Sequence, residues 1–226
     1  MSTGDRPLLS VVVCSYNGAH RLGTTLDAIA RQTIVGEIEL IVVDDGSTDS
    51  TADVARRPGV HLIVQPENHG LSAARNAGVE AARAPLVAFT DDDCVPDEKW
   101  AECILRAFHD HPEAVGVGGE IDVLRRDTIV QRYLAANNPI RPLEHGYTKE
   151  PGVVERFRLY ADDPERYAGT VRKVFSIVGA SMAFRRDALV EIGGFDPGIR
   201  FGGDEEYVCV QVRERFGPDV LVVDPS

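Results

Sequence analysis

The sequence predicts an α/β fold: one domain built on a mainly parallel central sheet flanked by helices. Three observations predict it. Short β-branched apolar runs recur along the first half, each run ends in turn-forming or acidic residues, and stretches of helical spacing separate them. Parallel strands need crossover connections of helix length, so this alternation over short intervals is what a parallel sheet requires. A chain of 226 residues suits one domain and can bury a sizeable core without covalent staples.

Each element follows from its own residues. Leu8 to Cys14 (LLSVVVC) is a buried strand, and Ser15-Tyr16-Asn17-Gly18 after it is turn chemistry. Leu22, Leu26, Ile29 and Ala30 then recur at helical spacing in a segment ending near Gln32. Ile38 to Val43 is a second strand closed by Asp44-Asp45-Gly46-Ser47, with Ser47 or Thr48 expected to cap a helix through Val54. His61 to Val64 is a third strand. Gly70 to Arg83 is Ala-rich and helical, with Ser72 near its start. Leu86 to Thr90 is a fourth strand that runs into Asp91-Asp92-Asp93. Trp100 to His109 is helical, and Ala114 to Gly118 is another strand.

From Leu124 to Lys173 the pattern weakens, because charged residues, aromatics and Pro139, Pro142, Pro151 and Pro164 interrupt any period. A long irregular stretch inside a compact domain usually marks a functional loop or lid. Tyr133, Tyr147, Phe157, Tyr160 and Tyr167 in it are candidates to stack on a ligand's rings or to form the core of a lid. Order returns at Ser176 to Phe184, and a helix starts at Arg186-Asp187. Gly193-Gly194-Phe195-Asp196-Pro197 leads to Gly202-Gly203-Asp204-Glu205-Glu206, then to a final helix ending at Phe216 and a strand over Val220 to Val223.

Composition narrows the class. The net charge of −12 argues against a broad surface for nucleic acid, which needs clustered Lys and Arg. It leaves room for a phosphorylated small molecule with a divalent cation between it and the protein. No apolar run approaches the ~18–20 residues that span a bilayer, and the polar start from Met1 to Pro7 lacks the apolar stretch of a leader. Cys14, Cys94, Cys103 and Cys209 show no paired short spacing, so a soluble chain in a reducing cytoplasm is expected. The six histidines make no metal-spaced set.

Three acidic clusters carry the chemistry: Asp44-Asp45, Asp91-Asp92-Asp93 and Asp204-Glu205-Glu206. The first two follow strands, and in open α/β sheets ligands bind outside the carboxyl ends of the strands. Side chains alternate along extended backbone, so Asp91 and Asp93 are expected on one side and Asp92 on the other. Two carboxylates so placed suit a hard cation, Mg²⁺ or Mn²⁺, which keeps waters and substrate phosphates in its shell. Without a cation or an Arg, three consecutive Asp repel one another.

These residues resemble a family-2 glycosyltransferase with the GT-A fold. The resemblance rests on VVVCSYN (11–17), IVVDDGSTD (41–49), NHGLSAARN (68–76), FTDDD (89–93), GASMAFR (179–185), GGFD (193–196) and GDEE (203–206), in that order along nearly the whole chain. It implies a single GT-A domain, Rossmann-like, with residues 1–123 as the nucleotide-sugar half and 124–226 as the acceptor half. It further implies an inverting transfer of a sugar from a UDP, GDP or TDP sugar to a saccharide, lipid or other hydroxyl acceptor, as in cell-wall or polysaccharide synthesis. Peripheral contact with the inner face of the membrane is compatible with it.

Residue by residue, the resemblance places Ser15, Tyr16, Asn17, Asp44, Asp45, Arg75, Asp91 and Asp92 about the donor. Tyr16 and Asp44 fall toward the base and Arg75 toward the phosphates. Asp91 and Asp93 hold the outer positions of the DXD motif and the metal. Where the family has Glu-Asp, with the second residue as base, this chain has Asp204-Glu205. Glu205 matches by position and Asp204 by type, and both stand as candidates. A His metal ligand is expected just beyond Asp224-Pro225-Ser226, so either that ligand is dispensed with or the chain is a truncated product. Trp100 is a candidate for the acceptor side or for the core. A binding protein that has lost activity, or a sugar nucleotidyltransferase, are the competing readings. The second expects a Gly-rich basic phosphate loop after the first strand, which Ser15-Tyr16-Asn17-Gly18 does not supply.

Overall fold

The computed structural model describes residues 6–122, 127–129, 132, 171–199 and 202–224. Its elements are β1 (Leu9–Ser15), α1 (Leu22–Ala30), β2 (Ile38–Asp44), α2 (Thr51–Ala55), β3 (Val60–Val64), α3 (Leu71–Ala81), β4 (Leu86–Asp91), α4 (Trp100–Asp110), β5 (Gly116–Gly118), β6 (Arg172–Lys173), β7 (Met182–Arg185), α5 (Arg186–Glu191), α6 (Asp204–Phe216) and β8 (Leu221–Val223). The expected irregular stretch, with its aromatics, lies almost wholly outside the described residues.

The strands form one sheet in the order β3-β2-β1-β4-β7-β5-β8-β6. The first four are all parallel; β7 enters antiparallel to β4 and β5, and β6 is antiparallel to β8. The expectation of a mainly parallel sheet therefore holds for the N-terminal half, while β7 turns the second half into a mixed sheet. Both faces are covered, which is why β1 has no polar-apolar alternation. Val12, Ile41, Val87 and Phe89 pack on one side with α3, α5 and α6 residues. Val11, Val13, Val42 and Ala88 pack on the other with α1 and α4 residues.

Register brings the acids together. Ser15 pairs across from Asp44, and Cys14 from Asp91, so three strand ends meet at one edge, each ~4.8 Å from the next. The opposite edge is locked by Glu39, whose carboxylate accepts from Ser10 Oγ at 2.7 Å, from Arg83 N at 2.9 Å and from the Arg83 guanidinium. Gly46 turns the chain just after β2 at φ +71°, and a Cβ there would lie 2.3 Å from the Glu67 carbonyl carbon. A side chain at 46 would force that turn off the 67–68 backbone.

One local expectation is corrected and two gain detail. Ser47 and Thr48 do not cap α2. Ser47 Oγ accepts from Asn17 N (2.9 Å), and Thr48 donates to Asn17 Oδ1, so both are spent on the first loop. Asp49 Oδ1 accepts from Thr51 N instead, at 2.9 Å. Ser72 sits in the first turn of α3 but caps nothing: its hydroxyl donates to the Ile199 carbonyl at 2.8 Å. Over 176–184 only Met182 onward is strand, preceded by a 3₁₀ turn at Gly179–Ser181.

Candidate active site

The sequence-selected acids sort into three kinds at the carboxyl edge. Asp45 is structural in its contacts: Oδ1 accepts from His69 N and Oδ2 from Gly70 N, both at 2.9 Å, which fixes the approach to α3. Asp44 is buried and accepts from Ser47 N at 2.9 Å. Asp92 is buried, holds Arg21 Nε at 2.6 Å and accepts from Ser15 Oγ. Asn17 stands at φ +50°, a left-handed position that Asn tolerates, with its Oδ1 tied to Thr48 N at 2.9 Å. Tyr16 beside it is 46% exposed.

Asp91 and Asp93 turn the other way. An oxygen from each and the Sγ of Cys94 lie within 4.8 Å of one another. Two hard carboxylates with open space beside them fit Mg²⁺ or Mn²⁺, and a thiol adds a softer donor. Removal from water raises the Asp91 carboxyl above its ordinary value; Arg75 opposes this, and Asp93, Asp92 and Asp204 add to it. Desolvation, with the charges of Asp91 and Asp93, pushes the Cys94 thiol up to about 11. Judging the cysteines by disulfide and zinc spacing overlooked Cys94; its place directly after three Asp was the available signal.

Arg75 joins this edge to α6. Buried at 3% exposure, its guanidinium places Nη1 2.5 Å from Asp204 Oδ2 and 4.0 Å from Glu205 Oε2, and Nη2 3.6 Å from Asp91 Oδ1. The same group lies 5.5 Å over the Phe195 ring, which meets Phe89 edge-to-face at 5.2 Å. Asn76 fixes Phe195 in turn, donating to its carbonyl at 2.7 Å and accepting from its N–H at 2.8 Å. Gly203, at φ +83°, supplies the left-handed residue from which α6 begins. Its first turn then carries Asp204, Glu205 and Glu206, where carboxylates complement the helix dipole.

Asp204 and Glu205 differ in access. Asp204 is buried, whereas the Glu205 side chain is 27% exposed. Burial raises the Glu205 carboxyl first, the Asp204 side chain adds to the rise, and Arg75 opposes it. Beside Asp93 opens a cleft of about 660 Å³, lined among others by Cys94, Trp100, Ile104, Val117 and Ser181. The Trp100 ring packs against the α1/α4 core while Nε1 donates to Ser181 Oγ at 3.0 Å.

Residues 10–193 match the sequence profile of glycosyl transferase family 2. The chain belongs to this family. Among curated relatives of this family-2 chain, the glucosyl-dolichyl phosphate glucuronosyltransferase of Haloferax volcanii is 28% identical over 94% of this chain and 66% of its own length. The mannosyltransferase PcManGT of Pyrobaculum calidifontis, solved in complex with GDP-Man and Mn²⁺, superposes with a TM-score of 0.64 at 22% identity, covering 97% of this chain and 57% of that one. Staphylococcus aureus TarS 1-349, solved with UDP, gives 0.65 at 15% identity over 95% and 57%. The family-2 chain has the GT-A fold, and it spans between half and two thirds of these proteins' lengths. No helix among the described residues is long and apolar enough to cross a membrane.

Proposed function

We propose that this family-2 chain is a glycosyltransferase that moves a sugar from a nucleotide-diphosphate sugar to an acceptor hydroxyl by an inverting displacement assisted by a divalent cation. One observation carries the reading: Arg75 joins the Asp91/Asp93 edge to the α6 carboxylates, so a metal-holding pair and a base stand across one guanidinium. The GDP-Man and Mn²⁺ complex of PcManGT, which shares the fold, supports the same assignment.

In this reading Tyr16, Asn17 and Asp44 form the cradle for the nucleoside, at the ends of β1 and β2. Ser15, Asp45 and Asp92 hold that cradle in shape through their contacts with Arg21, His69 and Gly70. Asp91 and Asp93 hold the cation, with Cys94 alongside. When bound, the cation supplies Lewis-acid neutralisation of the departing diphosphate. Arg75 stands beside the same phosphates and orients them. Glu205 is the base: it reaches solvent, while Asp204 is enclosed and committed to Arg75. Its raised carboxyl makes Glu205 a stronger proton acceptor than an ordinary glutamate. The acceptor enters through the cleft beside Trp100, with the half of the chain from residue 124 onward shaping its choice.

Titration of the chain with UDP- and GDP-sugars, with and without Mn²⁺, tests the assignment. Cation-dependent binding followed by slow hydrolysis or transfer is expected. Asp93→Ala removes the cation dependence of binding. Glu205→Gln keeps binding and lowers turnover by ~10²–10⁴. The opposite pattern reverses the two roles, binding without turnover favours a binding-only protein, and failure of every nucleotide to bind ends the proposal.

A further inference from the structure

Asp204 carries a feature that the base role of Glu205 leaves unused. Its Oδ2 is held by Arg75 Nη1 at 2.5 Å, yet its Oδ1 is buried without a hydrogen-bond partner among the described residues. The whole residue is 1% exposed. A buried carboxylate oxygen left without a donor is costly, and native structures rarely keep one without a reason. Arg75 Nη1 is engaged with the other oxygen, and Oδ1 accepts no hydrogen bond from it. Glu205 is the next residue, and its Oε2 stands 4.0 Å from that same nitrogen, too far for a hydrogen bond. Two carboxylates thus crowd one guanidinium, and one acceptor oxygen waits for a proton.

We propose that Asp204 is a positioning residue whose unpartnered Oδ1 accepts a hydrogen bond from Glu205 once Glu205 has taken the acceptor's proton, so that the two carboxyl groups hold one proton between them. The proposal rests on Glu205 as base. In the step, the acceptor O–H bond breaks and its proton passes to a Glu205 oxygen. The acceptor oxygen bonds to the sugar carbon, and the electron pair of the breaking C–O bond leaves with the nucleoside diphosphate. The new O–H of Glu205 then points to Asp204 Oδ1. A partner of this kind makes the protonated base cheaper than it would be alone.

The surroundings agree with a shared proton. The charged groups about Glu205 include Asp204, its neighbour on α6, and Arg75 from α3, whose guanidinium also faces Asp91 from β4. Cys209, one turn along, is a thiol pushed up to about 12 by burial and so stays neutral. Arg75 is thus the cation set against three nearby carboxylates, and burial with the Asp204 contact raises the Glu205 carboxyl despite it.

The test needs no turnover. In the protein with ¹³C-labelled glutamate carboxyls, Glu205 is identified by the signal lost in Glu205→Gln, and it titrates above an ordinary glutamate. Asp204→Asn lowers that midpoint by about one pH unit, a tenfold change in proton affinity. Glu205→Gln supplies a permanent amide donor to Oδ1, so near pH 8 its Tm lies roughly 2–4 °C above wild type. The gain fades as pH falls and wild-type Glu205 becomes protonated, and it is absent when Asp204→Asn is added. A Glu205 midpoint at or below the ordinary value, or one unmoved by Asp204→Asn, overturns the proposal. If Asp204→Asn fails to fold, the wild-type midpoint and the Glu205→Gln Tm decide. The base assignment fails separately, through turnover retained in Glu205→Gln.

Discussion

Arg75 is the residue on which the candidate site turns, because one guanidinium faces carboxylates from β4 and from α6 while packing on Phe195. A buried ion pair is weak evidence of net stabilisation, but breaking one leaves an uncompensated charge in the interior. Arg75→Ala would strand Asp204, whose Oδ2 has Arg75 as its partner and whose Oδ1 has none among the described residues. The expected loss is about 3–5 kcal/mol in urea unfolding. Adding Asp204→Asn to Arg75→Ala should recover a large part of that loss, since the stranded charge is then gone. Arg75→Lys should fold better than Arg75→Ala yet bind donor poorly, as an ammonium is a point charge without the planar fork. Full stability in Arg75→Ala would show that Asp204 finds another partner.

At the scale of elements, the segment 193–199 between α5 and α6 is held to α3 by two side chains. Asn76 grips Phe195 N–H and C=O, and Ser72 donates to the Ile199 carbonyl. The grip explains why position 76 is an amide: one face must donate and the other must accept. Asn76→Asp sets a carboxylate oxygen against the Phe195 carbonyl, so it should cost at least as much as Asn76→Ala, about 1–3 kcal/mol by chemical denaturation. Because Phe195 packs beneath Arg75, the same variants should weaken donor binding; unchanged affinity would separate the loop from the site. None of this coupling was legible locally. The apolar runs were, since strands covered on both faces must be continuously apolar, and the acids at their ends follow from parallel register. The tertiary pairings were not: Arg21 with Asp92, Asn76 with Phe195 and Arg75 with Asp204 span 71, 119 and 129 residues. Side-chain spacing holds no record of such distances. The Ser47/Thr48 cap failed for the same reason, as the distant first loop took their hydrogen bonds.

For the whole molecule, the two edges of the sheet respond to pH in opposite senses. At the carboxyl edge Glu205 is raised, so its charge is a burden that lifts on acidification. At the other edge burial alone would raise Glu39, but hydrogen bonds from the Arg83 N–H, the Ser10 hydroxyl and the Arg83 guanidinium outweigh it and hold the carboxyl below its ordinary value. A depressed carboxyl contributes stability that is complete above its unfolded value and is lost as pH falls through its folded value. A raised one costs stability as pH climbs from its unfolded value to its folded value, and that cost is constant beyond. Tm should therefore rise on going from neutral to mildly acidic pH, then fall steeply once Glu39 is protonated and its lock on β1, β2 and Arg83 fails. Glu39→Gln keeps the shape but loses the charge-assisted bonds, so it should lower Tm at neutral pH and flatten the steep acid limb, leaving the mild rise above it in place. Glu205→Gln should do the reverse, shrinking the rise to the part that the likewise raised Asp91 carboxyl supplies and leaving the acid limb. Thermal midpoints of the three proteins from about pH 3 to 8 check this, and an acid limb unchanged in Glu39→Gln would assign acid unfolding to other carboxylates.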